Sequence, residues 1–236
     1  DKTLKLYRSG FSMAGKMNGR FVFPIYDENS KVIGITGRHL LYDNSKNIAK
    51  WKHLGRKANW IYPINIKSDG GSVFLEDIEE KKEIILVEGI GDSLALTEQG
   101  VLNHMVIFGL EISSKQLSYL VSLNLDKIII STNNDKGKSD NRGLHAAIKN
   151  YLKLIKVFDI AKVEIKLPIL KDFGEMLESG VSIDEWKNKS CTKNLEVEYI
   201  IKYIKRNKEE FSKYKKQAKL LKDFLEQINL EADFIS

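Results

Sequence analysis

Short β-branched runs alternate with amphipathic segments through the middle of the chain, and this alternation constrains the fold more than any other feature. The predicted strands cover residues 83–87, 105–108, 126–131 and 161–167, and the predicted helices cover residues 92–99, 113–123 and 142–156. The pattern Ser113-x-x-Gln116 predicts a capping box at the start of the second of these helices. Runs of this length and composition are typical of strands that are buried on both faces. Because strands joined through helices form parallel sheets flanked by helices, we predict an α/β domain over residues 81–170.

The segments on either side of this domain have different patterns. A turn-forming stretch, Asp27–Ser30, separates two β-rich runs at 21–26 and 31–36, which predicts a hairpin. We assign residues 1–80 to a small basic α+β subdomain. Apolar residues recur every three or four positions in the last part of the chain, so we predict a C-terminal helical segment over residues 171–236.

Composition limits the class of protein. Hydrophobic residues make up 42% and charged residues 30% of the chain, which fits a soluble folded protein, and no apolar run reaches the roughly 18–20 residues of a membrane helix. The single cysteine, Cys191, excludes an internal disulfide and a cysteine-based zinc site, so we expect a reducing, cytoplasmic compartment. The chain opens with Asp1 rather than Met, and we expect it to be part of a longer protein.

Positive charge is concentrated in two stretches. Residues 31–67 contain eight Lys or Arg and one acidic residue, and residues 202–222 contain nine and two, so each stretch carries +7. Because the whole chain carries only +6, the rest of it is net acidic. Basic stretches suit a polyanion such as nucleic acid, although lysines that only solvate a surface explain the second stretch equally well.

Acidic and amide side chains follow three of the predicted strands. Glu88 and Asp92 come after the first strand, Asn133 and Asp135 after the third, and Asp172 after the fourth. Ligands bind beyond the carboxyl ends of parallel strands, so these five side chains can converge there. Carboxylates repel one another unless a cation joins them, and hard oxygen ligands favour Mg²⁺ or Mn²⁺.

Each part of this pattern has a simpler explanation on its own. Glu88 and Gly89 can form an ordinary turn at the end of a strand, and Asp92 can cap a helix. Asn133–Asp135 can be a polar loop, and Asp172 can begin a helix. We favour a metal site because the residues occur together, in order, at strand ends. The glycines beside Glu88 would also let the backbone turn and approach a ligand closely.

At these residues the chain resembles a known domain. The stretch Val87-Glu88-Gly89-x-x-Asp92, followed by Phe108-Gly109-Leu110, resembles the TOPRIM domain of bacterial and phage DNA primases. The stretch Asn133-Asn134-Asp135 is similar to the later Asp-x-Asp motif of that domain, with an amide in place of its first carboxylate.

The segments before and after extend the resemblance over about residues 18–178. Gly19-Arg20-x-x-Phe23-Pro24-Ile25, with Gly37-Arg38 downstream, resembles the basic subdomain that precedes TOPRIM in the same primases. Lys171-Asp172-x-x-Glu175 is similar to a segment of phage primase-helicases. TOPRIM occurs in topoisomerases and nucleases too, whereas the Arg-Phe-Pro-Ile hairpin before it is more specific to primases.

The resemblance implies the RNA-polymerase core of a DNA primase, which synthesises short RNA primers on single-stranded DNA by metal-dependent nucleotidyl transfer. It implies that Glu88, Asp92 and Asp135 are catalytic and hold Mg²⁺ or Mn²⁺ together with Asn133, with Asp172 acting through water. The expected partners are a single-stranded DNA template, ribonucleotide triphosphates and a replicative helicase, with no membrane, in the cytoplasm of a bacterial cell or a phage-infected host.

Basic and aromatic residues complete the expected site. The residues expected to contact template and nucleotide phosphates are Arg20, Arg38, Lys50, Lys52, Arg56 and Lys57. Trp51 and Trp60 are candidates for stacking on bases, although a core position is equally consistent with Trp60. The C-terminal helices can bind nucleic acid, dock a helicase or pack on the sheet, and the sequence does not choose among these.

Two other functions stay open. The chain can be a different TOPRIM enzyme, such as a metal-dependent nuclease. It can also be a non-catalytic module that binds single strands or a replisome partner. Asn133 favours the second alternative, because an amide oxygen can coordinate a cation but adds no charge, which weakens metal binding.

Overall fold

The computed structural model describes residues 2–41, 48–68, 70–135, 141–189 and 191–235. The chain divides into two compact units, Asp1–Leu125 and Asp126–Ser236. The first unit begins with helix α1 (Lys2–Leu6) and a four-stranded antiparallel sheet of β1 (Gly10–Ser12), β2 (Arg20–Tyr26), β3 (Val32–His39) and β4 (Trp51–Leu54), in that order.

The predicted hairpin is formed by β2 and β3. Asp27 closes its turn, because Asp27 Oδ1 accepts hydrogen bonds from the backbone N–H groups of Asn29 and Lys31 at 3.0 and 2.8 Å. Gly34 on β3 makes room for the core, since a Cβ atom there would lie 2.5 Å from the Trp60 ring. Trp60 is 0% exposed, so the stacking role suggested for it is wrong and it is a core residue.

The first unit continues with alternating helices and strands. The elements are α2 (Val73–Lys81), β5 (Glu83–Val87), α3 (Ile90–Glu98), β6 (His104–Val106) and α4 (Ser114–Ser122). Strands β5 and β6 pair in parallel, with Ile85 opposite His104. The apolar run of β5 is buried throughout, as its composition predicted.

Residues at the helix ends determine where these helices begin and end. Helix α3 is followed by Gly100 at φ +77°, a left-handed conformation that glycine adopts easily. Helix α4 begins with the predicted capping box, in which Ser113 Oγ accepts from Gln116 N–H and Gln116 Oε1 accepts from Ser113 N–H. The Gln116 amide also donates to the carbonyls of Trp60 and Val106, both at 3.1 Å, which fastens α4 to the core.

The second unit is built on two further parallel strands. Its elements are β7 (Lys127–Ser131), α5 (Arg142–Leu154), β8 (Val163–Ile165), α6 (Phe173–Glu178), α7 (Ile183–Asn188), α8 (Lys193–Arg206) and α9 (Lys215–Ile235). Strands β7 and β8 pair in parallel, with Ile129 opposite Glu164. Helix α5 packs against both strands, and α8 and α9 pack together.

A partly buried ion pair holds α8 against β8. Glu196 accepts hydrogen bonds from Ile165 N–H and from Lys193 Nζ, and Lys193 Nζ also donates to the Val163 carbonyl. Burial raises the pKa of Glu196, and Lys193 opposes that rise. Of the three roles considered for the C-terminal helices, packing on a strand of the same unit is therefore observed for α8.

The predicted fold class is confirmed: parallel strands flanked by helices follow a small α+β segment and precede a helical C-terminal segment. The sequence did not predict α1, β1, β4 or α2. It also placed the second parallel strand slightly late, at 105–108 rather than His104–Val106. The three-part division at residues 80 and 170 stays a prediction. Within the described residues, no helix is long and apolar enough to cross a membrane.

Candidate functional site

The first acidic pair lies where β5 runs into α3. Glu88 follows the buried strand directly and is partly exposed. Asp92 lies in the first turn of α3 and is 6% exposed, and its Oδ2 accepts a hydrogen bond from Gly89 N–H at 3.2 Å. The cap interaction considered for Asp92 is thus present.

The two glycines beside Glu88 provide space. Gly89 has φ −139°, an extended conformation that any residue adopts, so the backbone conformation at this position does not by itself require glycine. A Cβ atom at Gly91 would meet nothing within 4 Å, and one at Gly89 would meet only Asp92 Oδ2 at 3.8 Å. The glycines therefore keep the end of β5 open to a ligand.

The second group lies just after β7. Thr132 and Asn134 are buried, whereas Asn133 and Asp135 between and beyond them are partly exposed. This alternation agrees with the expectation that an extended backbone places Asn133 and Asp135 on one face. The segment carrying the proposed metal ligands is therefore ordered by its inward-facing neighbours.

The two inward-facing residues, Thr132 and Asn134, contact residues that are far away in sequence. Thr132 Oγ1 donates to the Gly143 carbonyl at 2.8 Å. Asn134 N–H donates to the Lys171 carbonyl at 2.7 Å, and Asn134 Nδ2 donates to the Pro168 carbonyl at 2.9 Å. Asn134 occupies the variable position of the motif, so the sequence did not indicate its role in positioning the segment.

Gly143 was missed as well. A Cβ atom at this position in α5 would lie 1.6 Å from the carbonyl oxygen of Asn133. No other residue type fits without moving one of the two backbones. A glycine in the first turn of a helix, where it costs stability, is the only sequence signal for this close approach.

Asp172 caps helix α6. Its Oδ1 accepts from Glu175 N–H at 2.8 Å, and its Oδ2 lies 3.9 Å from Lys171 Nζ. The simpler explanation, that Asp172 begins a helix, therefore describes its contacts. Its action on a metal through water stays a prediction.

The acids are distributed over both units, with Glu88 and Asp92 in the first and Asp135 and Asp172 in the second. In the part of the chain that the structure describes, no three His, Cys, Asp or Glu side chains form a group that could hold a metal ion. Their convergence on one metal site stays a prediction.

Among the predicted phosphate contacts, Arg20 is exceptional because it is only 5% exposed. Its guanidinium donates to the carbonyls of Gly37, Ala49 and Lys50 at 2.8–3.3 Å. These bonds hold the start of β4 beside β3, so Arg20 has a structural role in the sheet. Its contact with phosphate stays a prediction.

The other predicted phosphate contacts are accessible. Arg38, Lys50, Arg56 and Lys57 are exposed and Lys52 is partly exposed. The Arg38 guanidinium lies 6.0 Å from the centre of the Trp51 ring. Lys57 Nζ donates to the carbonyl of Phe108 at 3.1 Å, and Phe108 has φ +55°, which is unusual for a side chain of this size.

A buried polar network supports the helix that carries Asp92. The Tyr7 hydroxyl lies 2.7 Å from the hydroxyls of Ser93 and Thr97, and His104 Nε2 lies 2.8 Å from Ser93 Oγ. His104 Nδ1 faces the Val101 carbonyl at 3.1 Å, and because a carbonyl only accepts, the proton is on Nδ1. Complete burial lowers the pKa of His104 to about 3.

Sequence comparison identifies relatives. A DNA primase from Clostridium acetobutylicum is 28% identical over 212 residues, which cover 80% of this chain and 32% of the relative. A DNA primase from Borreliella burgdorferi is 30% identical over 175 residues, which cover 73% of this chain and 31% of the relative. The chain thus spans about a third of the length of these curated relatives. No protein-family model matches it.

Solved structures share the fold. The RNA polymerase domain of Mycobacterium tuberculosis primase DnaG superposes with a TM-score of 0.63 at 18% identity, covering 96% of this chain and 76% of that one. A DnaG primase catalytic domain bound to single-stranded DNA superposes with a TM-score of 0.59 at 16% identity, covering 85% and 64%.

The structural similarities define the class of the protein: it is an α/β protein with the fold of a primase catalytic core. The sequence relatives narrow this further, because the chain is homologous to bacterial DNA primases over most of its length. The resemblance to the TOPRIM-containing RNA-polymerase core of a primase is therefore confirmed.

Proposed function

We propose that the chain is the catalytic core of a DNA primase, which synthesises short RNA primers on single-stranded DNA by metal-dependent nucleotidyl transfer. The observation that carries this proposal is the position of Glu88, partly exposed directly after a buried parallel strand in a primase-like fold. Ligands of such sheets bind beyond the carboxyl ends of the strands.

The proposed ligands have the donor chemistry that a divalent metal ion prefers. Glu88 and Asp135 offer carboxylate oxygens, Asn133 offers an amide oxygen, and the glycines beside Glu88 leave space at the strand end. Glu88 and Asp135 are proposed as the main ligands, with Asp92 and Asn133 assisting. When bound, Mg²⁺ or Mn²⁺ would lower the pKa of the attacking hydroxyl and neutralise charge on the phosphates.

The protein's part in the reaction is to position the reactants. The 3′-hydroxyl of the growing primer loses its proton and attacks the α-phosphate of the incoming ribonucleotide triphosphate, which forms a new phosphodiester and releases pyrophosphate. The exposed side chains of Arg38, Lys50, Arg56 and Lys57 would hold template and nucleotide phosphates by charge. A replicative helicase is the proposed protein partner, in bacterial or phage-infected cytoplasm.

Primer synthesis with Glu88→Gln tests the proposal directly. We expect primers from ribonucleotide triphosphates on single-stranded DNA only when Mg²⁺ or Mn²⁺ is present. Because glutamine removes a charged ligand, we expect at least about a 100-fold loss of rate. Glu80→Gln is the matched control, since Glu80 is an exposed acid on α2 of the same unit. Full activity in Glu88→Gln, or activity without metal, would reject the proposal.

Two observations favour a second candidate, a non-catalytic module that binds single strands. Asn133 supplies no charge where the related motif has a carboxylate, and the described residues contain no group of three acidic, His or Cys side chains that could hold a metal. That candidate predicts salt-sensitive DNA binding that does not depend on Glu88, and no primers. The nuclease alternative predicts shortened DNA in Mg²⁺ without nucleotides.

A further inference from the structure

An aromatic row crosses the antiparallel sheet of the first unit. Phe11 on β1 is opposite Phe21 on β2, Phe21 is opposite Arg38 on β3, and Arg38 is opposite Trp51 on β4. Residues directly opposite one another on antiparallel strands project from the same face. The four side chains therefore share one face, in a row that spans about 14 Å across four strands.

This row is open to solvent, whereas the next row on the same face is not. Phe11 is 52% exposed, Phe21 and Trp51 are partly exposed, and Arg38 is exposed. Two residues further along, Phe23 and Thr36 are buried. A run of accessible aromatic rings on a sheet face is a feature that marks binding surfaces.

Neighbouring side chains hold the aromatic rings of this row in place. The buried Phe23 ring contacts Phe21 edge to face at 5.6 Å and lies 6.3 Å from the ring of Trp51. The Arg38 guanidinium lies over Trp51, which orients both groups. A surface with its side chains already ordered loses less conformational entropy when a ligand binds.

The positive charge around this row indicates what class of ligand binds there. The segment 31–67, which contains β3 and β4, carries eight Lys or Arg and one acidic residue. Lys50 and Lys52 flank Trp51 in sequence and are accessible, but neighbouring residues of a strand project from opposite faces. Arg38, opposite both Phe21 and Trp51, is therefore the cation that lies on the same face as the rings. Aromatic rings interleaved with cations suit unpaired nucleobases, because the rings stack on bases while the cations contact phosphates.

We infer that Phe11, Phe21 and Trp51 form a platform on which consecutive unpaired bases of a single strand stack, with Arg38 as its cationic member. Identification of this strand as the primer template rests on the proposed function. Base stacking itself is measured without metal or nucleotides, so it can be tested separately from primer synthesis.

Trp51 reports on the platform directly. The chain has three tryptophans, and Trp60 and Trp186 are 0% and 1% exposed, so only Trp51 is accessible to a base. The probe is a twelve-nucleotide oligothymidylate, and its control is a strand of equal length with abasic sites and the same phosphates, at one fixed salt concentration. We expect oligothymidylate to quench Trp51 fluorescence and to bind at least about fivefold more tightly than the abasic strand.

Two results would overturn the platform. Equal affinity for the two strands would show that binding depends on phosphates alone. Unchanged fluorescence in the complex with oligothymidylate would show that no base stacks on Trp51, whatever else covers this face. Trp51→Phe keeps an aromatic ring and should lose the signal while it retains affinity, which assigns the signal to Trp51.

Phe11→Leu tests the platform at its other end. Because Phe11 is half exposed, leucine retains most of its packing, and circular dichroism checks the fold. We expect about a fivefold or greater loss of affinity for oligothymidylate and an unchanged affinity for the abasic strand. Val121→Ala, at an exposed apolar position on α4, is the control and should bind both strands normally. Normal oligothymidylate binding by Phe11→Leu would contradict the inference.

The two proposals fail differently. A chain that stacks bases but makes no primers contradicts the proposed function and leaves the platform intact. A chain that makes primers but binds the two strands equally contradicts the platform alone.

Discussion

The two strand ends that carry the candidate metal ligands are held in place by different means. After β5, Asp92 accepts a hydrogen bond from Gly89, three residues away. After β7, the segment 132–135 depends on Gly143, Pro168 and Lys171, which lie 11 to 37 residues further along the chain. The first strand end is shaped locally and the second by tertiary contacts, so substitutions at the two should have opposite consequences.

The largest contrast is expected between two glycine-to-alanine substitutions. In Gly143→Ala the new Cβ atom would collide with the backbone of Asn133, so we expect a loss of about 3 kcal/mol in the free energy of unfolding and a strong loss of primer synthesis. In Gly91→Ala the Cβ atom meets nothing, and alanine in a helix should raise stability by about 0.5–1 kcal/mol. Urea denaturation measures both.

The contrast fails if Gly143→Ala is as stable as the unaltered chain, because the close approach to Asn133 would then carry no cost. A strongly destabilised Gly91→Ala variant would also contradict it, because the added Cβ atom is expected to meet nothing. Reduced primer synthesis in a stable Gly91→Ala variant would support a ligand in the space beside Glu88.

Acidification should weaken the first unit through His104. Its folded pKa of about 3 lies below the ordinary value of 6.5, so the unfolded chain takes up a proton that the folded chain does not. Stability is present above pH 6.5 and falls by about 1.4 kcal/mol per pH unit below it, or about 2 kcal/mol by pH 5. Burial and Lys57 lower the pKa of His53, which acts in the same direction.

Denaturation at several pH values, compared between the unaltered chain and His104→Gln, isolates this contribution. The variant should lose most of the slope between pH 6.5 and 5, even if it is less stable at every pH. An identical slope in both proteins would show that His104 does not stay neutral in the folded state.

The smallest effect is expected at the amide of the second strand end. Asn133→Asp adds a charge to the proposed metal site, so the Mn²⁺ concentration that gives half-maximal primer synthesis should fall about tenfold, or about 1.4 kcal/mol. A metal titration of activity measures this change. The control is Asp126→Asn, at an exposed position in the same unit directly before β7. An unchanged metal requirement would remove Asn133 from the proposed ligands.

Predictions from sequence succeeded where neighbouring residues decide the structure. The buried run of β5, the capping box of α4 and the turn at Asp27 were all predicted, because each depends on contacts within a few positions. Strand β4 was missed because Trp51–Leu54 has no apolar alternation, and it exists through its pairing with β3 and the carbonyl contacts of Arg20.

The sequence by itself determined the alternation of strands and helices over residues 83–165, several helix caps and the residue types available to a metal or a polynucleotide. Only the tertiary structure decided that Arg20 and Trp60 are buried, that Gly143 makes room for the Asn133 backbone, and that Phe11, Phe21 and Trp51 share a face. The reason is physical: a cap or a turn is stabilised within one stretch of chain. Burial and strand register depend on which distant segments meet, and no local pattern records that.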